Sequence, residues 1–332
     1  RIAQTMFNES WLEDIQNKGS AEISGRLMNA RTLLNQMGQP DEFPRFCLFL
    51  KIIMEYEKGY DSPWFPWLNS LPRYYTNGAS MTDFCYLCLP PLAAKLAQKE
   101  RTRCANFQQV LMQIYGHLVS DESKENDELM TWAYSLVYTR CLVRKGEPCL
   151  IPMVDYFNHA TTTEAEIKYD DEGNCYVYTT MDVPAGSPLR ISYTNGDNTN
   201  PSALLARYGF LDQETTATFC KYLIDRPSQE IIGLGYHESK MLFYNTGEVS
   251  ETVWDILLYQ ALGGINREEQ QSFYDAHKQG DIDTKQAYHQ HYFPQTSAAL
   301  LRHVDSFLRR LGKVTNKAID ADINEHPRIP II

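Results

Sequence analysis

The sequence predicts an α+β protein, and three changes of pattern along its 332 residues predict it. From Phe43 to about Val143, apolar residues recur at three- and four-residue spacing. From Pro148 to about residue 212, short alternating runs are separated by turn residues. Beyond about Phe219 the helical period returns. At 43% hydrophobic the chain can bury one large core or two modest ones, and nothing in its composition suggests disorder.

In the first helical region Phe46, Leu48, Phe49, Leu50, Ile52 and Ile53 precede a stop at Gly59, and Met130 to Val143 carries a second helical pattern. Between them "DSPWFPWLNSLP" breaks any helix; its two tryptophans and three prolines predict a rigid, packed loop. In the β-rich region "CLIPMV" is a short buried run. "AEIKYD" and "CYVYTT" alternate around the turn residues "DEGN", and "PLRISY" follows the turn "VPAG". Helices return most clearly in "SETVWDILLYQAL" and "TSAALLRHVDSFLRRL", where Leu300, Leu301, Val304, Phe307, Leu308 and Leu311 are expected to share one face. No fixed-period repeat or low-complexity tract argues for a solenoid.

Acidic residues exceed basic ones by 42 to 31, a net charge of −11. That balance disfavours a general nucleic-acid binder and favours basic peptides or cationic ligands. The longest apolar runs, "CLFL" and "CLIPMV", are far too short to span a membrane, and the first residues are not signal-like, so no membrane anchor is expected. The eight cysteines are scattered in a chain long enough to fold without staples, which predicts reduced thiols in an intracellular protein. Cytoplasm or nucleus is expected, or a plastid if a leader has been removed. Cys85 and Cys88 form the single tight pair, and no second pair completes a tetrahedral site, so no metal is expected.

Three stretches lie close together in and beside the β-rich region: "WAYSLVYTR" ending at Arg140, "DYFNH" from Asp155 to His159, and "RISYTNGDNTNPSALLARYGF" from Arg190 to Phe210. Together they resemble the SET-domain protein methyltransferases, in the branch that includes the plant Rubisco large-subunit lysine methyltransferase and its animal relatives. That resemblance implies a SET-domain β-fold split by a helical insert and followed by an all-α substrate-binding domain. It divides the chain into an N-terminal segment over 1–42 (a candidate incomplete start of the SET domain), the insert over 43–145, the SET core over 146–212 and the helical domain over 213–332. The Gly-x-Gly turn with which most SET domains begin is not found in 1–42, where Gly19 and Gly25 stand too far apart. The Cys-rich segment that follows the SET core in histone-directed relatives is also missing.

The resemblance implies S-adenosylmethionine as cofactor and a protein lysine as methyl acceptor, with the enzyme a monomer. It assigns cofactor contacts to Arg140, Asp155, Asn158, His159 and Tyr193. Arg140 would pair with the cofactor carboxylate, which its planar fork suits. Asn158 would take the amino group and the His159 backbone the adenine edge. Asp155 would hold the surrounding turn, with Arg140 as a candidate partner. Tyr193, at the end of "ISY", matches the catalytic tyrosine; Tyr208 and Phe210 match channel walls, with Ile191 on the side of its strand that Tyr193 shares. Asn200 matches a position that stabilises the following loop. Leu142 stands where lysine-directed relatives carry an aromatic and histidine-directed ones an amide, and an apolar residue cannot hydrogen-bond an imidazole.

Rival readings remain at this level. The same residues could serve a protein histidine methyltransferase or an inactive peptide-binding scaffold. Asp155 and Asn158 also suit a turn before a hairpin, and any single aromatic suits a core. A hydrolase built on His159 lacks a G-x-S-x-G elbow, and Cys149 has no cation beside it in sequence.

Overall fold

The computed structural model describes residues 21–114, 118–144, 146–193, 201–212, 214, 217–322 and 324–326. In chain order the helices begin with α1 (Ala21–Gln36), α2 (Phe43–Glu57), α3 (Phe65–Ser70), α4 (Asp83–Leu87), α5 (Pro91–Gln113), α6 (Asp121–Glu125) and α7 (Asp127–Arg140). Strands β1 (Leu142–Arg144), β2 (Glu147–Cys149), β3 (Asn158–His159), β4 (Ala165–Tyr169), β5 (Cys175–Thr179) and β6 (Arg190–Ile191) follow. The chain continues through α8 (Pro201–Tyr208), β7 (Ala217–Cys220), α9 (Gln229–Gly233), β8 (Leu242–Tyr244), α10 (Glu251–Ile265), α11 (Arg267–Gln279), α12 (Ile282–His291) and α13 (Phe293–Ile319). It divides into two compact units: Arg1–Met81 with Ala97–Tyr193 and Ala206–Phe210, and Thr82–Leu96 with Thr194–Leu205 and Leu211–Ile332.

The first unit is built on α2 and α7. Phe46 and Phe49 of α2 meet Phe107 with ring centroids 5.5 Å away in each case, and Phe107 stands edge-on to Tyr134 of α7. All four rings are fully buried, each contributing roughly 1.5–3 kcal/mol of apolar burial. Tyr134 donates its hydroxyl to Glu100, so its one polar atom is satisfied inside the core. This packing fixes α7 and therefore Arg140, its last residue. The tryptophan- and proline-rich loop is packed, as expected, with Trp67, Leu68 and Leu71 buried. It nevertheless contains the short helix α3, because Pro66 falls in the first turn, where a missing N–H costs nothing.

Two boundaries differ from the periodicity. The helical pattern through Val143 stops at Arg140, since Cys141 turns extended and Leu142 pairs with Cys149 across the β1–β2 hairpin. The run "CLIPMV" is a strand only as far as Cys149. Pro152 and Met153 then bend the chain, with Met153 at φ 76° and ψ −41°, a strained region for a residue bearing a Cβ. The "AEIKYD" and "CYVYTT" runs form the antiparallel pair β4–β5. Strands β3 and β6 pair in parallel, setting Asn158 opposite Arg190 and His159 opposite Ile191.

The second unit buries Val253, Ile256, Leu257, Leu258 and Leu262 of α10 against Phe273 of α11, Tyr292, and partly buried Leu300 and Val304 of α13. It departs from the all-α expectation: β7 and β8 form an antiparallel pair. Strands of three or four residues are too short to leave a period in the surrounding helical pattern. On α13 the expected apolar face is also narrower, because Leu301 and Leu308 are 62% and 59% exposed while Phe307 is buried.

Asp255 of α10 lies buried among basic side chains, with Lys285 Nζ and His289 Nε2 each at 2.8 Å and His277 Nδ1 at 3.4 Å. Burial alone would raise the Asp255 carboxyl, but the His289 and Lys285 hydrogen bonds bring it below its ordinary value. Burial holds the His277 imidazole below its ordinary value. As pH falls, the unfolded chain therefore protonates position 277 first, and stability falls once pH passes below about 6.5. The Asp255 contribution persists until pH falls below the ordinary carboxylate value. Thermal unfolding midpoints between pH 8 and 5 should show the His277-linked decline, and His277→Gln should flatten that part of the profile; an unchanged profile in the variant would remove His277 as its source.

Candidate functional site

The segment from Asp155 to His159 joins the two halves of the candidate site. At its start, Asp155 sits in a one-turn 3₁₀ helix with no exposed side-chain surface. Arg140 donates through Nη1 to the Asp155 carboxylate at 3.2 Å and to its backbone carbonyl at 2.9 Å. Trp67 Nε1 donates to the same carboxylate oxygen, at 3.2 Å, and Arg140 Nε donates to Tyr75 Oη at 3.2 Å. The guanidinium also lies over the Tyr156 ring, 5.7 Å from its centroid. Burial lowers the affinity of the Arg140 guanidinium for its proton, but Tyr75 and Asp155 more than compensate, so the net shift is upward and the charge is kept. Burial also raises the Asp155 carboxyl, against the pull of Arg140 and Trp67.

At the other end of the segment, Tyr193 Oη donates to the Phe157 carbonyl at 2.6 Å, and the Tyr193 backbone N–H donates to His159 Nδ1 at 3.0 Å. The second bond needs the Nδ1 lone pair, which places the ring proton on Nε2. Tyr193 then gathers the remaining rings: Tyr208 at 4.9 Å, His159 at 5.3 Å and Phe210 at 6.3 Å between centroids. All four are only half-buried, so they form a wall rather than a closed core. The positive φ of Gly209 (+82°) lets Tyr208 and Phe210 both turn into this cluster. A Cβ there would stand 2.6 Å from the Thr76 carbonyl carbon.

Burial pushes the Tyr193 phenol up to about 12; Tyr208 and Asp155 add to that and Arg140 opposes it. Asn158 is exposed on β3, and its side-chain amide has no hydrogen-bond partner among the described residues. Ile191 is buried on β6, and Tyr193 lies just past the end of that strand. Leu142 packs elsewhere, on the small cluster of Cys149, Ile151, Val154 and Cys175. Asn200 lies outside the described residues. Burial raises the Cys149 thiol to about 11, which leaves it inert as a nucleophile at neutral pH.

Trp67, Tyr75, Tyr156 and the Phe157 carbonyl were not singled out from the sequence. Trp67 belongs to a loop whose packing was legible, but its partner lies 88 residues away. No local pattern carries such a pairing.

No family model matches the chain. Among curated proteins it is similar to SET domain-containing protein 4 of Homo sapiens, 24% identical over 198 residues, which cover 52% of this chain and 42% of that protein. The Mus musculus protein of the same name is 26% identical over 193 residues, 52% of this chain and 43% of that one. The chain's match therefore spans less than half the length of these relatives. Among solved structures, Rubisco LSMT bound to AdoMet superposes with a TM-score of 0.51 at 17% identity, covering 85% of this chain and 76% of that one. The SET domain of LSMT bound to lysine and AdoHcy gives 0.51 at 17% identity, covering 80% and 70%. The chain has the SET-domain fold seen in Rubisco LSMT. Within that SET fold, the segment Asp155–His159 and the rings around Tyr193 occupy the β-rich portion of the first unit. Among the described residues no helix is long and apolar enough to cross a membrane.

Proposed function

We propose that the chain is an S-adenosylmethionine-dependent protein-lysine N-methyltransferase. In this reading, 43–145 is a helical insert within the SET core, 146–212 carries the cofactor and catalytic groups, and 213–332 selects the protein substrate. The observation that carries it is the segment Asp155–His159, which binds Arg140 at one end and Tyr193 with its rings at the other. The relatives' reported ligands, AdoMet in one and lysine with AdoHcy in another, agree with it.

The residues present suit an amino-acid zwitterion. Among the described residues Arg140 Nη2 makes no hydrogen bond, and Asp155 Oδ1 is buried without a donor. A spare cationic donor beside an unsatisfied acceptor matches a carboxylate and an ammonium together. Arg140, Asp155, Asn158 and the His159 backbone would hold the cofactor, whose positive sulfonium supplies an electrophilic methyl group. A free lysine has a pKa near ~10.4, so the site must favour its neutral form. Rings of Tyr193, Tyr208 and Phe210, with Ile191 as a further candidate wall, would desolvate the amine and disfavour its ammonium. Tyr193, held as a phenol, cannot act as the base and would instead orient the amine, so alignment carries most of the acceleration. Leu142 packs on the cluster of Cys149, Ile151, Val154 and Cys175, so the choice of lysine over histidine does not rest on it.

Incubating the protein with methyl-labelled cofactor and a lysate of its own organism, then sequencing the labelled peptide, tests this reading. Label on a lysine side chain is expected. Label confined to histidine would transfer the proposal to the histidine-directed reading, and absence of both labelling and cofactor-induced thermal stabilisation would support a scaffold.

A further inference from the structure

Helix α13 presents a bare face whose chemistry differs from the rest of the molecule. Phe307 is buried, and Leu300 and Val304 pack inward, which leaves the flank and far side of the helix open. There Leu301 and Leu308 stand seven residues apart, about 10 Å along the axis. Beside them Arg302, Asp305, Ser306, Arg309, Arg310 and Lys313 line a concavity of about 400 Å³. None of these four cations forms an ion pair with a described residue. From Arg302 to Lys317 five cations face one acid, in a chain whose net charge is −11.

We infer that this face is a docking surface for an acidic amphipathic helix of a partner protein. Apolar contacts repeating every seven residues are the spacing at which two helices pack side by side, and a flanking row of cations selects carboxylates on the incoming helix. A second copy of this chain is a poor occupant, because its α13 would bring the same unpaired cations into contact. A nucleic acid or an anionic bilayer would use the cations alone, whereas the pair Leu301 and Leu308 at seven-residue spacing suits the apolar stripe of a helix. No residue of the cofactor and amine site above belongs to this surface, so peptide binding and methyl transfer can be measured separately.

The test uses the full chain and a fluorescent peptide helix carrying leucines seven apart flanked by glutamates. Anisotropy should show saturable binding that weakens as salt rises from ~0.05 to ~0.5 M. The triple charge reversal Arg302→Glu, Arg309→Glu, Lys313→Glu should weaken binding by about tenfold or more, and Leu301→Ser with Leu308→Ser by about threefold or more. These side chains are exposed, so unchanged circular dichroism and thermal midpoint should accompany both variants. No binding up to roughly millimolar peptide, binding unaffected by either variant, or binding to duplex DNA or phosphatidylserine vesicles as tight as to the peptide would overturn the proposal.

Discussion

Tyr193→Phe is expected to lower methyl transfer by roughly 100-fold or more, the scale of losing one positioned hydrogen-bonding group in a preorganised site. The variant deletes the hydroxyl that Phe157 accepts at 2.6 Å but keeps the ring against Tyr208, His159 and Phe210. Cofactor binding should therefore persist, read as an unchanged thermal shift on adding S-adenosylmethionine. Because burial holds this phenol up at about 12, it stays protonated across the usual assay range. Any increase in rate from pH 7 to 9 should come from the substrate amine, and the residual activity of the variant should show the same pH profile as the wild type. Full turnover in the variant would remove Tyr193 from the mechanism.

The second large effect concerns the ion pair. Asp155→Ala leaves the guanidinium of Arg140, 15% exposed, without its carboxylate, and deprives Trp67 Nε1 of its acceptor. Breaking one side of a buried pair costs about 3–5 kcal/mol, a fall of roughly 4–7 °C in the thermal midpoint of a chain this size. Cofactor-induced stabilisation should be lost with it. Replacing both charges, as Asp155→Ala with Arg140→Met, should recover part of the stability, because no uncompensated charge then remains. It should not recover cofactor binding. A double variant as unstable as the sum of its singles would mean that the pair is not coupled.

Different parts of the molecule were legible in the sequence for different reasons. The helix α2, the hairpin β4–β5 and the long helix α13 were readable because each carries its own period over enough residues to be counted. The end of α7 at Arg140 and the strand β1 were not, because Leu142 continues the apolar spacing of the helix while its backbone pairs with Cys149. The short strands β7 and β8 lay hidden between helices for a similar reason. Arg140, Asp155, His159, Tyr193, Tyr208 and Phe210 could be nominated from motif order, yet Leu142, nominated with them, packs on a different cluster. Strand alternation told which side of a sheet a residue takes, but not which rings it meets there.

What the sequence determined by itself was local: where helices and strands form, where turns interrupt them, and which short runs combine acid, amide, imidazole and phenol. Those follow from the spacing of apolar residues and the backbone preferences of each residue type, which act over a few positions. Only the tertiary structure decided the partners: that Trp67 caps Asp155 from 88 residues away, that Phe157 rather than solvent receives the Tyr193 hydroxyl, and that Leu301 and Leu308 are left outside the core. Those outcomes depend on how distant segments compete for the same buried volume and the same donors, and a period read along one segment contains no record of that competition.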